Sequence, residues 1–70
     1  MYKQICKAYK AEEDRYWEPS EDLTNKVIDL IRSDQKMLAV KTLMDSRENS
    51  HWHLKDCVDM KNFLERRGFC

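Results

Sequence analysis

The chain has 70 residues, which is enough for one domain with a small core. Its 13 basic and 13 acidic side chains give a formal net charge of zero, so the strong basic excess of a general nucleic-acid binder is missing. No run approaches the roughly 20 apolar residues that a membrane span requires. Both properties make nucleic acid and membrane poor candidates as partners.

The cysteines favour a cytoplasmic protein. Their number, 3, is odd for a secreted disulfide scaffold, and no apolar signal region follows Met1.

A domain of this size buries only about 60% of its unfolded surface, so its stability is marginal. Another protein or a second copy of the chain is the usual source of additional burial. We therefore expect either a protein partner or a homo-oligomer.

Composition and periodicity predict an all-α single domain over residues 1–70, built as a small bundle of three to four short helices. Only one Gly and one Pro are present, whereas good helix formers are common. The apolar spacing predicts helices near residues 2–16, 20–33, 35–47 and 51–67. Residues 2–9 also contain aromatic and β-branched side chains, so an N-terminal strand, and with it an α+β fold, is the alternative.

The predicted helices each have an apolar stripe and end signals. Ser20 follows Pro19 and is expected to cap the second helix, while Asp34 and Ser50 are expected to cap the third and fourth. Gly68 is placed to take the left-handed conformation after the last turn. The predicted stripes, helix by helix, are Tyr2, Ile5, Cys6, Tyr9 and Tyr16; Leu23, Val27, Leu30 and Ile31; Met37, Val40, Leu43 and Met44; and Leu54, Cys57, Val58, Met60 and Leu64. From these stripes, the residues predicted to be buried in the core are Leu30, Val40, Leu43 and Leu64.

Residues 35–59 resemble, without a gap, the two-helix core of the bacterial ribosomal stalk protein's C-terminal domain. Lys36 and Lys41 match two lysines of its first helix, and Leu54-Lys55-Asp56-Cys57-Val58-Asp59 is similar to the Ala-Lys-Asp-Leu-Val-Glu of its second. The chain departs from the family at Met44, where the family has arginine. Residues 47–51 replace the glycine-rich turn of the family, and residues 60–70 predict more helix in place of its strands.

The resemblance implies that the helix pair is a protein-binding surface, because in the family it contacts translational GTPases. Lys36, Lys41 and Lys55 are then expected to form a basic patch for an acidic partner surface. Solvated lysines on helix surfaces are the alternative interpretation. Trp52 and Phe63 lie off the apolar stripe of the last helix, so they are covered either by the N-terminal segment or by a partner. We take Trp52 as the aromatic anchor of the expected partner site.

Metal binding and catalysis have weaker sequence support. His51, His53 and Cys57 place two potential zinc ligands one helical turn apart, but no paired C-x-x-C spacing accompanies them and Cys57 lies in an apolar stripe. A cysteine with a histidine is also compatible with a nucleophile, yet so short a chain has little room for a substrate cleft. We expect no metal, no cofactor and no enzymatic activity.

The sequence therefore favours a small protein-interaction module, an accessory or inhibitory factor with a link to translation. The alternative is a helix-turn-helix-like nucleic-acid-associated protein, in which residues 47–50 form the turn and the last helix enters a groove. That helix carries Asp56, Asp59 and Glu65, which would repel phosphates along it.

Overall fold

The computed structural model describes all residues 1–70 and contains four helices, α1 (Tyr2–Glu13), α2 (Glu21–Arg32), α3 (Lys36–Met44) and α4 (Leu54–Arg66). It has no strands, which confirms the all-α prediction and excludes the N-terminal strand. Successive helices pack together, most extensively α2 against α3 and then α3 against α4. No helix has the length and apolar character needed to cross a membrane.

A single hydrophobic cluster joins all four helices and both longer connections, residues 14–20 and 45–53. Leu43 and Leu64 are at most 1% exposed and Val40 is 6% exposed, as predicted, while Leu30 is only partly buried. The cluster consists of Ile5, Tyr9, Trp17, Val27, Ile28, Ile31, Ala39, Val40, Leu43, Trp52, Cys57, Met60, Phe63 and Leu64.

An aromatic cluster connects the N-terminal segment to α4. Tyr9 meets Phe63 edge-to-face with ring centroids 5.0 Å apart, and Trp17 lies 5.1 Å from Tyr9 and 5.8 Å from Phe63. Such aromatic pairs contribute about 0.5–1.5 kcal/mol beyond their burial. The N-terminal segment therefore covers Phe63, and the partner-binding interpretation of that ring was wrong.

The ends of α1 and α4 differ from the predicted ones and move two side chains out of the core. Because α1 ends at Glu13, Tyr16 lies in the connection, 79% exposed, and Trp17 takes the buried position instead. Because α4 begins at Leu54 and not at residue 51, the Leu54 side chain in its first turn is 59% exposed. Both residues had been predicted to face the core.

Helix α3 is rotated relative to the prediction. Ala39, Val40 and Leu43 are its buried residues, and Met37, expected inside, is 82% exposed. Ala39 is fully buried, and a side chain this small allows close helix packing. Leu38, which is not part of the predicted stripe, is 45% exposed.

The caps of α2 were predicted in part. Ser20 is its N-cap and its Oγ accepts a hydrogen bond from the Leu23 backbone N–H. Asp34, however, does not cap α3: it ends α2 in the left-handed conformation, with φ of 61°, and the N–H of the next residue bonds back to Leu30. Gln35 precedes α3 without a side-chain cap.

The ends of α4 follow the same chemistry. Gly68 has φ of 75°, and the Phe69 N–H donates to the Leu64 carbonyl, as expected for a glycine-terminated helix. Phe69 folds back so that its ring lies 6.0 Å from Phe63. The N-cap is His53, whose backbone N–H donates to Asp56, and not Ser50 as predicted.

Candidate functional site

The three lysines of the expected basic patch lie apart. Lys36, at the start of α3, is 3.0 Å from the Glu65 carboxylate, near the end of α4. Lys55 lies near the beginning of α4, so the ten residues from Lys55 to Glu65 separate it from Lys36 by about 15 Å along the helix axis. The structure therefore does not bring Lys36 and Lys55 together.

The positive charge of Lys36 is paired with a carboxylate of the same chain, that of Glu65. The hydrogen bond and charge of Glu65 raise the pKa of Lys36, and the hydrogen bonds from Lys61 and Lys36 lower the pKa of Glu65. Lys61 approaches the same carboxylate at 2.7 Å. This arrangement connects α3 to the end of α4 and leaves Lys36 little free charge for a partner.

Trp52 is not an exposed anchor, which corrects its expected placement. Only 5% of the residue is exposed, and its indole N–H donates a hydrogen bond to the Glu18 carboxylate. It belongs to the same hydrophobic cluster as the helices. The ring is off the α4 stripe because Trp52 precedes that helix, and the indole bonds instead to Glu18 in the connection formed by residues 14–20.

A second carboxylate makes the reciprocal contact between the two connections. Glu48 accepts hydrogen bonds from the backbone N–H and the hydroxyl of Ser20, at 2.8 and 2.7 Å. Glu18, in turn, accepts from Trp52 and lies 3.0 Å from His51. We call residues 14–20 and 45–53, held together by these contacts, the clasp. The carboxylates of Glu18 and Glu48 are therefore both engaged within the clasp.

The hydrogen-bonded chain in the clasp contains residue types found in hydrolases. The Ser50 hydroxyl lies 2.9 Å from His51 Nδ1, and His51 Nε2 lies 3.1 Å from Glu18. All three residues are exposed, and none lines any of the three surface grooves. Without a cleft to hold a substrate and exclude water, the chain is better explained as part of the clasp.

The proposed zinc ligands are not assembled. No group of three or more His, Cys, Asp or Glu side chains is close enough to hold a metal ion. Cys57 is fully buried, and burial raises the pKa of its thiol, which disfavours the thiolate required for metal binding or nucleophilic attack. His53 is exposed at the N-cap of α4, while His51 contacts Glu18.

The surface of the α2–α3 pair carries an open groove of about 310 Å³. Its apolar walls are Leu23 of α2 and Leu38 of α3, and Lys26 and Lys41 stand beside them. The complete lining is Leu23, Lys26, Leu38, Lys41, Thr42, Asp45 and Ser46. Of the predicted site residues, only Lys41 lies in this groove.

The exposed face of α3 carries a further apolar side chain, Met37, outside the groove lining. Met37 is one turn before Lys41, so the two side chains share a face, and Leu38 lies next to them. Met37 and Leu38 are 82% and 45% exposed. An adjacent methionine and leucine, together with Leu23, form an apolar strip on an otherwise charged surface. We call this strip with Lys26 and Lys41 the α2–α3 face.

Two further grooves are polar or mixed. One lies at the C terminus and contains the Lys36–Glu65 ion pair, and the other combines acidic and basic side chains around Tyr9. Their linings are Ile31, Arg32, Lys36, Glu65 and Cys70 for the first, and Tyr9, Glu13, Arg15, Asp59, Asn62 and Arg66 for the second. Neither has the paired exposed leucine and methionine side chains of the α2–α3 face.

Sequence reasoning missed Leu23 and Lys26 as site residues, although a signal was present. The two are three residues apart on α2 and therefore share a face, and Leu38 was already predicted to lie off the buried stripe. No protein-family model, known protein or solved structure matches the chain in comparisons of sequence and fold. The site is consequently defined by its own geometry.

Proposed function

We propose that the chain is a protein-interaction module that binds another protein through the α2–α3 face. The observation that carries this proposal is the exposure of Met37 and Leu38 beside an open groove, in a domain whose other large apolar side chains are mostly buried. Apolar strips rimmed by polar side chains are typical of protein-binding surfaces. A groove between two packed helices also suits an added helical segment.

The size of the domain supports the same proposal. Seventy residues bury a modest core, and covering Met37 and Leu38 would add apolar burial at about 25 cal/mol per Å². Lys41 belongs both to this face and to the lysine spacing that resembles the ribosomal stalk domain. A component of the translation machinery is therefore the partner class we favour.

The nucleic-acid alternative gains no support from the connection between α3 and α4. It runs from Asp45 to His53 and contains the buried Trp52, whereas a helix-turn-helix joins its helices by a turn of about 3–4 residues. The net charge of zero also gives little attraction to phosphates. We keep protein binding as the single proposal.

The test is affinity capture from native cell extract with two matched variants. Leu38→Ser and Leu54→Ser make the same change at exposed leucines, 45% and 59% accessible, but only Leu38 lies in the groove. We expect the protein retained by the parent chain to be lost with Leu38→Ser and kept with Leu54→Ser. Equal retention by all three would contradict the proposal, provided that circular dichroism shows all three folded.

A further inference from the structure

The charges of the α2–α3 face restrict the chemistry of its partner. Neither Lys26 nor Lys41 has a carboxylate within 4.0 Å, as is also true of Lys3, Lys7 and Lys55, whereas Lys10, Lys36 and Lys61 are in ion pairs. Lys26 and Lys41 differ from the other unpaired lysines in lining the groove. The two free ammonium groups stand beside the same apolar walls, Leu23 and Leu38. A segment seated on the leucines thus meets positive charge at its edges.

The remaining polar groups of the groove are mostly engaged within the chain. The Thr42 hydroxyl donates to the Leu38 carbonyl at 2.8 Å, and the Ser46 hydroxyl accepts from the Glu48 backbone N–H at 3.1 Å. Asp45, one turn after Lys41, is the single carboxylate of the lining. Lys26 and Lys41 are therefore the principal free donors, and the negative end of the groove is confined to Asp45.

We infer that the occupant of this face is an amphipathic helical segment of another protein whose apolar side chains are flanked by carboxylates. The inference rests on the proposed function and adds the partner's chemistry. The apolar residues of the segment cover Leu38, Met37 and Leu23, and its Asp or Glu side chains lie against Lys26 and Lys41. A carboxylate at the Asp45 end is disfavoured by repulsion, so the acidic residues occupy the lysine end of the segment.

Protein carboxylates fit this face better than the phosphates of a nucleic acid. Phosphate recognition uses extended basic surfaces, and here two lysines alternate with leucines and one aspartate. Covering the exposed Met37 and Leu38 requires apolar contacts. An amphipathic helical segment supplies them from one side while its other side remains in water. A second copy of this chain is a distinct occupant, which the experiment distinguishes.

The test is photo-cross-linking in the native cells. A benzophenone amino acid replaces Leu38 in the full chain, with the same replacement at Leu54 as the control, and the cross-linked peptide is sequenced by mass spectrometry. The expected product at position 38 is a segment of another protein with Asp or Glu beside apolar residues, absent from the position 54 control. Association with the protein so identified is then expected to be about tenfold slower for Lys41→Glu at low salt, and unchanged for Lys55→Glu.

A charge exchange completes the test. Replacing the partner's acidic residue by Lys is expected to restore fast association with Lys41→Glu. A cross-linked segment that is neutral or basic, or a cross-link to a second copy of the chain or to RNA, would overturn the acidic-segment inference. If the cross-linked segment belongs to another protein but is neutral or basic, the proposed function still stands. No cross-link specific to position 38 would contradict the proposed function itself.

Discussion

The clasp and the α2–α3 face adjoin at Asp45 and Ser46 but use their side chains in opposite ways. In the clasp, Glu18 and Glu48 each accept hydrogen bonds from the opposite connection, and Trp52 is buried beneath them. On the α2–α3 face, Lys26 and Lys41 have no partner and Met37 and Leu38 face water. Glu18 and Glu48 thus form hydrogen bonds within the fold, whereas Met37 and Leu38 remain exposed to solvent.

The largest expected effect contrasts Trp52→Ala with Leu38→Ala. Removing the buried indole leaves a cavity and removes one of the hydrogen bonds to Glu18, so Trp52→Ala is expected to lower the free energy of unfolding by about 3–5 kcal/mol. Leu38→Ala replaces one good helix former by another at an exposed position. It is expected to change the free energy of unfolding by less than about 0.5 kcal/mol. Urea unfolding of both variants measures the difference in stability. Similar losses for the two variants would mean that the clasp and the α2–α3 face contribute equally to the stability of the fold.

A smaller effect is expected at the N-terminus of α2. The Ser20 hydroxyl accepts from the Leu23 N–H and donates to Glu48, and Ser20→Ala removes both contacts. The expected loss is about 0.5–2 kcal/mol, as for other helix caps. Ser33→Ala, at an exposed serine at the other end of the helix, is the control, with an expected change below about 0.5 kcal/mol. Equal melting temperatures for the two variants would contradict a stabilising role for the Ser20 hydroxyl.

The pH dependence of stability tests the other carboxylate of the clasp. The hydrogen bond from Trp52, and then that from His51, lowers the pKa of Glu18 below its ordinary value. A lowered folded-state pKa stabilises the fold above the ordinary carboxyl pKa and loses that contribution as the pH falls through the folded-state value. Glu18→Gln is therefore expected to be less stable than the parent at neutral pH, with a gap that narrows in acid.

Chemical unfolding at a series of pH values measures that gap. The partly exposed setting of Glu18 limits its size. A gap that stays constant from neutral pH into the acidic range would show that the charge of Glu18 contributes nothing to the clasp. Lys41→Gln is the control on the open side, where no ion pair is lost and no such narrowing is expected.

The smallest expected effect is at Asp34. This residue has φ of 61°, and Gly68 has a similar conformation at the end of α4 without the steric cost of a Cβ. Asp34→Gly is expected to raise the free energy of unfolding by up to about 1 kcal/mol, and Gly68→Ala to lower it by a similar amount. Thermal unfolding of both variants checks the opposite signs. A loss of stability in both would show that the Asp34 carboxylate has a role in the fold.

The elements could be predicted from the sequence better than the surfaces could. Pro19, Ser20 and Gly68 mark helix ends through local backbone chemistry and were predicted correctly. Leu43 and Leu64 each belong to an apolar stripe at helical spacing within their own helix, and their burial was also predicted correctly. Trp52 and Met37 were not, because their burial depends on where a helix begins and how it rotates against its neighbours. Tertiary packing sets both properties, and local patterns do not record it.

The same limit applies to the candidate site. Lys36, Lys41 and Lys55 match lysines of the helix pair that the sequence resembles. In the fold, however, the packing of α3 on α4 places Lys36 against Glu65 and leaves Lys55 far from Lys36. Lys41 instead joins Lys26, which comes from a different helix. The spacing within each helix shows which of its side chains share a face, but only the fold shows that Leu23 and Lys26 lie beside Leu38 and Lys41.

The most direct test of the account is methyl NMR of the chain labelled at leucine and methionine, recorded with and without the captured partner. Leu23, Leu38 and Met37 report on the α2–α3 face, while Leu54 and Met1 are exposed outside the groove. Binding at the α2–α3 face predicts that the methyl signals of the first three shift or broaden while those of Leu54 and Met1 stay unchanged. Shifts at Leu54 with none at Leu38 and Met37 would contradict it.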